Sequence, residues 1–300
     1  MGFGMDKQQL SYLLILQTVV EEGSFRSASR QLNIAPSAVS YAVKKLEESL
    51  GVQLLNRTTR SIGLSKAGRV LLNNTSSALR MIEDGFNDAK ATQNTVAGSL
   101  RINTGYSAAK FLIAPHLGAF TEAYPDIVLD LIIDNSFIDI VDKGFDAGIR
   151  LHEHVEQDMI AAKIGHEMRS VLVATPQYLD QYGYPKHPRD LKNHKAIFYR
   201  FSEKHAYIWE FQKGAKSITV MPPETMFIND HSIMIDALLQ NVGMAYIFED
   251  YVDDLIETGK LVKVMEDWSP RFQGFYIYYP QQRMRSALRA FIDFFIEKNR

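Results

Sequence analysis

Ser37, Ser40, Tyr41 and Lys44 recur three or four residues apart, so on a helix they share one face. Short hydroxyls can reach base edges in a DNA major groove without clash, and an ammonium can meet a phosphate. The chemistry this face could do is therefore recognition of duplex DNA. Arg57, Thr58 and Arg60 follow in a basic, Thr-rich turn between two short extended pieces. A wing of that composition could hold the sugar-phosphate backbone or an adjacent minor groove. The alternative for the same spacing is an ordinary amphipathic helical hairpin whose polar face meets only water.

The other reactive residue types exclude more than they offer. There is no cysteine, which removes disulfides, thiolate nucleophiles and Cys-based zinc or iron–sulfur sites, and fits a reducing compartment. No Gly-x-Ser-x-Gly elbow occurs, and Gly63-Leu64-Ser65-Lys66-Ala67-Gly68 lacks the P-loop order. His152 and His154 stand two apart, but Glu153 and Glu156 mark that segment as an exposed charged loop. Neither a metal nor a cofactor is expected.

The elements that must position the polar face can be read around it. Gly23-Ser24-Phe25 is a helix start, with Ser24 able to cap a first turn. Arg26 to Leu32 forms a short helix carrying Ala28 and Leu32 inward, and Asn33-Ile34-Ala35 makes a tight turn. Pro36 starts the next helix, where its missing N–H costs nothing. Val39, Val43, Leu46 and Leu50 make that helix's apolar stripe, opposite the polar face. Two short helices joined by a tight turn form a helix-turn-helix pattern. Before it, Leu10 to Val20 reads as a helix whose Leu10, Leu13 and Leu14 pack beneath.

Residues 21–68 closely resemble the LysR-type transcriptional regulators. The resemblance rests on Glu21-Glu22-Gly23-Ser24-Phe25, the Ala28…Leu32 helix, Ser37-Ala38-Val39-Ser40, Lys45-Leu46-Glu47, Leu50-Gly51-Val52, Leu54, Arg57-Thr58 and Leu64-Ser65-Lys66-Ala67-Gly68, in fixed order. Where Pro36 stands, many relatives have Gln, so this chain must read bases with a slightly different set. The resemblance implies a winged helix-turn-helix domain over 1–65 and a linker helix over 66–93. In that helix Leu72, Thr75, Leu79, Ile82, Phe86 and Ala89 follow an a/d heptad spacing. The family pairs this helix in an antiparallel coiled coil, so Leu72, Leu79, Ile82 and Phe86 are expected to dimerise the chain; packing on its own domain is the alternative. A dimer would set two recognition helices on one face of the duplex, at an inverted repeat.

Charge agrees with this division. The net charge is −2. Residues 1–70 hold nine Lys and Arg against five Asp and Glu, a net +4, and the other 230 residues hold 24 against 30, a net −6. The basic excess lies in the segment assigned to DNA. No run approaches the roughly 18 apolar residues of a membrane helix, and the first six residues have neither a basic region nor a cleavage site. No membrane contact and a cytoplasmic location are expected.

After a hinge at 94–99, strand-like and helix-like runs alternate from Leu100 to the end, which argues a parallel-sheet α/β domain. Strands are expected at Leu100–Thr104, Ile127–Asp134, Ala147–Arg150, Val171–Thr175, Ala196–Phe201, Thr225–Asn229 and Gly243–Ile247. Helices are expected at Ala108–Ala123, Ser232–Leu239 and Met284–Glu297, and a hairpin about Lys213-Gly214. Tyr276 to Tyr279 reads as an edge strand with aromatic faces. Two α/β halves, 100–171 with 273–300 and 172–272, give a periplasmic-binding-protein-like architecture, which matches the effector domain of the resembled family.

Such a fold binds a small molecule between its halves, at carboxyl ends of strands and N-termini of helices. By that rule the effector residues are Thr104, Ser107, Asn135, Ser136, Phe137, Arg150, Arg200, Phe201, Asn229, Asp230, Ile247 and Phe248. Two arginines, hydroxyls and aromatics favour a small organic acid. Duller roles stay open: Arg150 bridging the halves or pairing with Asp146, Asn229 and Asp230 capping the next helix, Phe137 in the core. The expected function is a DNA-binding transcriptional regulator, not an enzyme, tuned by a small-molecule effector. The expected partners are double-stranded DNA, the effector, further copies of the chain (homodimer or homotetramer) and, left open, RNA polymerase. A binding or transport protein and an enzyme assembled from distant residues remain the rivals from other classes.

Overall fold

Caps and turns fix the N-terminal helices. The computed structural model describes residues 7–57, 62–91, 96–136, 138–141, 143–151, 159–202, 205–281 and 284–300. It divides into two compact units, residues 1–98 with 139–145 and residues 99–138 with 146–300.

In the first unit, α1 (Lys7–Glu21), α2 (Phe25–Gln31) and α3 (Pro36–Leu50) precede a hairpin of β1 (Leu55–Arg57) and β2 (Ile62–Leu64), and α4 (Lys66–Ala91) follows. The Ser24 hydroxyl accepts the Ser27 N–H at 3.3 Å, satisfying a first-turn donor of α2. Asn33 takes φ 52° in the turn between α2 and α3. Pro36 starts α3, and Gly51 ends it at φ 68°, a left-handed conformation that glycine adopts without strain. Leu13, Leu16, Val19, Ala28, Val39, Val43, Leu46, Leu54 and Leu55 form one core. Two expected members are missing from it. Leu14 and Leu50 are exposed; Leu16 and Val19 keep the three-residue step from Leu13 that holds α1's inner face.

Leu72 and Leu79 of α4 are each 6% exposed and belong to this same core. At these two positions the apolar spacing is used within the unit, as in the alternative of a helix packed on its own domain. Ile82 and Phe86, further along α4, are exposed.

Among the described residues the second unit holds two large sheets and a separate two-stranded hairpin. Its strands are β3 (Gly98–Thr104), β4 (Ile127–Ile133), β5 (Ala147–Leu151), β6 (Ile160–Ile164), β7 (Met168–Ala174), β8 (Ala196–Ser202), β9 (His205–Ala206), β10 (Trp209–Lys213), β11 (Lys216–Val220), β12 (Glu224–Ile228), β13 (Met244–Phe248), β14 (Val262–Val264), β15 (Arg271–Phe272) and β16 (Phe275–Tyr279). One sheet runs β4-β3-β5-β16-β6, the other β12-β8-β13-β7-β14. Both are mixed: β3 and β5 are parallel but β16 runs antiparallel to β5, and β8 and β13 are parallel but β7 runs antiparallel to β13. β16 is not an edge strand. It lies between β5 and β6, and Ile277 is fully buried. β6 is short and carries Ala161, Ala162 and Lys163, too weak an apolar signal to reveal the strand that covers this edge.

The expected helix at Ala108–Ala123 is broken. A π-helical turn at Ala109–Ile113 and a 3-10 turn at Ala114–His116 precede Leu117–Ala123. Pro115 has no N–H to donate back into the helix, so the hydrogen-bond ladder must change step there. The hairpin β10–β11 turns at Gly214 and buries Trp209 and Phe211 against the second sheet.

Candidate functional site

The polar face of α3 is as open as its spacing requires. Ser37 is exposed and Ser40 half-buried. Tyr41 is 56% exposed, and the Lys44 side chain 70% exposed. The Lys44 ammonium lies 3.8 Å from Glu48, whereas Lys45, on the flank, holds Glu48 at 2.7 Å and sits 5.7 Å from the Tyr41 ring centroid. The wing is tied to α3 by Glu47, whose Oε1 accepts the N–H groups of Leu54 (2.8 Å) and Leu55 (3.2 Å). β1 is thus fixed relative to the recognition helix by a charge-assisted pair of bonds. Nothing in the sequence marks Glu47 for this role, because its partners are backbone groups. Thr58 and Arg60 lie outside the described residues, as does the side chain of Arg57.

The second unit contains a cleft enclosing about 760 Å³, open solvent at its mouth included. Of the twelve residues expected there, Ser107, Asn135, Arg150, Phe201, Ile247 and Phe248 line it. Thr104 is buried beneath it, donating to the Gly105 carbonyl at 3.1 Å. Ser136 stands behind Arg150: its hydroxyl donates to Asp134 at 2.7 Å, and together with the Ser136 N–H it holds the Asp134 carboxyl below its ordinary value. Arg200 is not among the lining residues; its guanidinium stacks 4.2 Å from the Phe227 ring centroid. Alternation along β8 explains this, since Tyr199 and Phe201 share one face and Arg200 takes the other. Asn229 does not line the cleft either. Asp230 caps the helix His231–Leu239 by accepting the N–H groups of Ser232 and Ile233, the duller of its two roles. Phe137, like His152 and His154, lies outside the described residues.

Arg150, at the end of β5, is 7% exposed. Its guanidinium donates to the carbonyls of Ile149 (2.8 Å), Asp134 (3.0 Å) and Ser136 (3.3 Å) and to the Asn103 amide oxygen. It does not pair with Asp146, which accepts the Arg101 N–H at 2.8 Å and forms an ion pair with Arg285. Among the described residues no carboxylate stands within ion-pair distance of Arg150. Burial pulls its pKa below the ordinary arginine value. Its direct partners are all neutral oxygens, with the Asp134 carboxylate acting only at longer range, an arrangement that an anion at the guanidinium would complete.

The two lobes of this unit are latched by uncharged groups. The Asn135 amide nitrogen donates to the Tyr199 hydroxyl at 2.9 Å while its oxygen accepts the Tyr106 N–H at 2.8 Å. The hydroxyls of Ser107 and Tyr251 share a bond at 2.9 Å. His231 is stacked between the Tyr199 and Tyr251 rings, each centroid 4.2 Å away. Burial pushes the Tyr199 hydroxyl up to about 12, and Tyr251 higher still, so both latches stay neutral. Burial also holds His231 down, at about 4.

Sequence reasoning missed Ser170, Tyr199, Tyr207, His231, Tyr246 and Phe275, all of which line the cleft. Strand alternation could have found Tyr199 beside Phe201. Ser170 and Phe275 come from strands whose ends meet only through the fold. The Ser170 hydroxyl is buried without a hydrogen-bond partner, an uncommon state for a polar group inside a protein.

Comparison with known proteins agrees with this geometry. The family model described as LysR substrate binding domain matches residues 93–300, and that described as bacterial regulatory helix-turn-helix protein, lysR family, matches residues 10–69. Among curated relatives, the HTH-type transcriptional regulator YcaN of Escherichia coli is 38% identical, covering 92% of this chain and 91% of that one. PgrR of the same organism is 34% identical, covering 96% and 97%. Among solved structures, full-length AphB, a virulence activator of Vibrio cholerae, superposes with a TM-score of 0.65 at 27% identity, covering 97% and 99%. CrgA from Neisseria meningitidis gives a TM-score of 0.59 at 27% identity, covering 98% and 99%.

Proposed function

This chain belongs to the LysR-type transcriptional regulators, and from that premise we propose that it reads an inverted-repeat promoter site through α3 and is tuned by a small organic acid in the cleft. That it regulates transcription through a DNA-binding domain and an effector domain, and is not an enzyme, follows from the family. Ser37, Ser40, Tyr41 and Lys44 face the groove, while the wing with Arg57, Thr58 and Arg60 holds the backbone. Ile82 and Phe86, exposed on α4 as Val70 and Met81 also are, offer apolar surface to a second copy. A dimer doubles the modest +4 charge of residues 1–70, which a salt-dependent DNA contact needs.

The observation that supports the organic acid best is Arg150, buried in the cleft with only neutral acceptors. A carboxylate there would pair with the buried guanidinium. Regulation is then a population shift. The acid favours one relative setting of the two lobes over another, and the Asn135–Tyr199 and Ser107–Tyr251 bonds are the contacts that differ between settings. The test is an electrophoretic mobility shift of the intact chain on its own upstream DNA, at low and high salt, with and without carboxylic acids. The reading expects a salt-sensitive complex whose affinity or bend changes with the acid. A chain that ignores this DNA at low ionic strength, or whose complex no acid alters, would overturn it.

A further inference from the structure

Resting on the reading of this cleft as the effector site, we infer that its ligand is a ring-bearing monocarboxylate, carrying one negative charge and one uncharged polar substituent that meets Ser170. The charge count comes from the walls. Among the described residues that line the cleft, Arg150 is the one cationic side chain and none is a carboxylate. The cations nearby are committed elsewhere. Arg200 stacks on Phe227. Arg169, beside Ser170, donates to the carbonyls of Ser269 and Glu266, each at 2.7 Å, and lies 3.9 Å from Glu249. Lys110 is exposed above the Tyr251 ring. His231 lines the cleft but is stacked between two aromatic rings, and its burial there disfavours the charged form. A single carboxylate neutralises Arg150, whereas a dicarboxylate or a phosphate would bring a second charge that no described lining residue pairs.

The body of the ligand follows from the remaining walls. Phe201, Tyr207, Tyr246, Phe248 and Phe275 supply ring faces and edges, which favour a planar ring beyond simple area burial. Ser170 adds the third feature. It is 3% exposed, lines the cleft, and has a hydroxyl with no partner, so an acid bearing a hydroxyl or carbonyl group gains a hydrogen bond that a bare ring leaves unmade.

The experiment is calorimetric titration of the full chain with benzoate, the hydroxybenzoates and the three benzenedicarboxylates, on the unaltered protein and on Ser170→Ala. One hydroxybenzoate should bind about fivefold more tightly than benzoate, and this preference should vanish in Ser170→Ala. Each dicarboxylate should bind at least about tenfold more weakly than its monoacid. Dicarboxylates binding as tightly as monoacids would overturn the single charge and leave the effector site standing. A hydroxyl preference that is absent, or that survives Ser170→Ala, would overturn the role of Ser170. If no acid of either charge binds, the reading of the cleft as an organic-acid site falls, and this inference with it.

Discussion

Replacing Gly68 by alanine sets two physical effects of opposite sign against each other. Gly68 is the third residue of α4, and intrinsic helix propensity alone favours alanine there by about 1 kcal/mol. The structure opposes it. A Cβ at Gly68 would stand 2.2 Å from the Leu54 carbonyl oxygen and 2.9 Å from a Leu64 methyl. Neither neighbour can yield freely, because that same carbonyl accepts the Ser65 N–H at 2.9 Å and the Ser65 hydroxyl donates to Gln53 at 2.6 Å. Relief requires α4 to move off the wing by about 1 Å, at the usual 1–3 kcal/mol for overpacking and with a hydrogen bond worth about 1 kcal/mol loosened. Net destabilisation of about 2 kcal/mol is expected. Gly85, on the same helix, is the control: nothing stands within 4 Å of a Cβ there, so Gly85→Ala should stabilise by about 1 kcal/mol. Urea unfolding can assign the effect to one unit, because both tryptophans, Trp209 and Trp268, lie in the second. Circular dichroism should show an earlier transition in Gly68→Ala while tryptophan fluorescence does not move. A Gly68→Ala protein as stable as its parent, or more so, would refute the close approach of α4 to the wing.

Three further outcomes are expected. Glu47→Ala removes the acceptor of two β1 amides and should cost about 2–3 kcal/mol in the same circular-dichroism transition, with Glu47→Gln losing less; equal losses for both would show that the acceptor is not what matters. Lys44→Ala should weaken binding to all DNA sequences and lower the salt slope by about one unit, and an unchanged slope would remove Lys44 from phosphate contact. His231 should make the second unit acid-sensitive. Its folded value of about 4 lies below the ordinary 6.5, through burial first, then opposed by Asp230 and reinforced by Lys110. As pH falls from 6.5 to 4 the unfolded chain takes up a proton that the folded chain refuses. Stability is complete above 6.5 and declines by up to about 3 kcal/mol at pH 4. Unfolding followed by tryptophan fluorescence should show less of this decline in His231→Phe; parallel curves would mean that His231 titrates normally.

The N-terminal unit was legible because its determinants are local. Ser24, Pro36 and Gly51 act on hydrogen bonds within four residues, and the 3.6-residue period puts Val39, Val43 and Leu46 on one face without reference to any other element. The strands of the second unit could be read for a similar reason, since runs such as Val171 to Ala174 are buried on both faces. Local pattern does not say what lies across a face. The heptad spacing of Leu72 and Leu79 was equally consistent with a partner helix and with the domain's own core; only the position of α1 against α4 chose the core. Tyr276 to Tyr279 looked like an edge because the strand beside it, Ile160–Ile164, comes more than a hundred residues earlier.

The cleft divides the same way. Ser107, Asn135, Arg150, Phe201, Ile247 and Phe248 could be placed because residues at the carboxyl ends of strands face a cleft in any sheet of this kind. Ser170, Tyr207, His231, Tyr246 and Phe275 could not, because what brings them together is the approach of two sheets. The charge of the site turned on the same distinction. Two arginines stand in the sequence where strands end, but the side that each faces is set by strand alternation and by which neighbour it meets. Folding buries Arg150 among neutral oxygens and turns Arg200 onto Phe227. Residue type and period are properties of the chain, whereas the pairing of a buried charge depends on groups distant in sequence, and those distances exist only once the chain has folded.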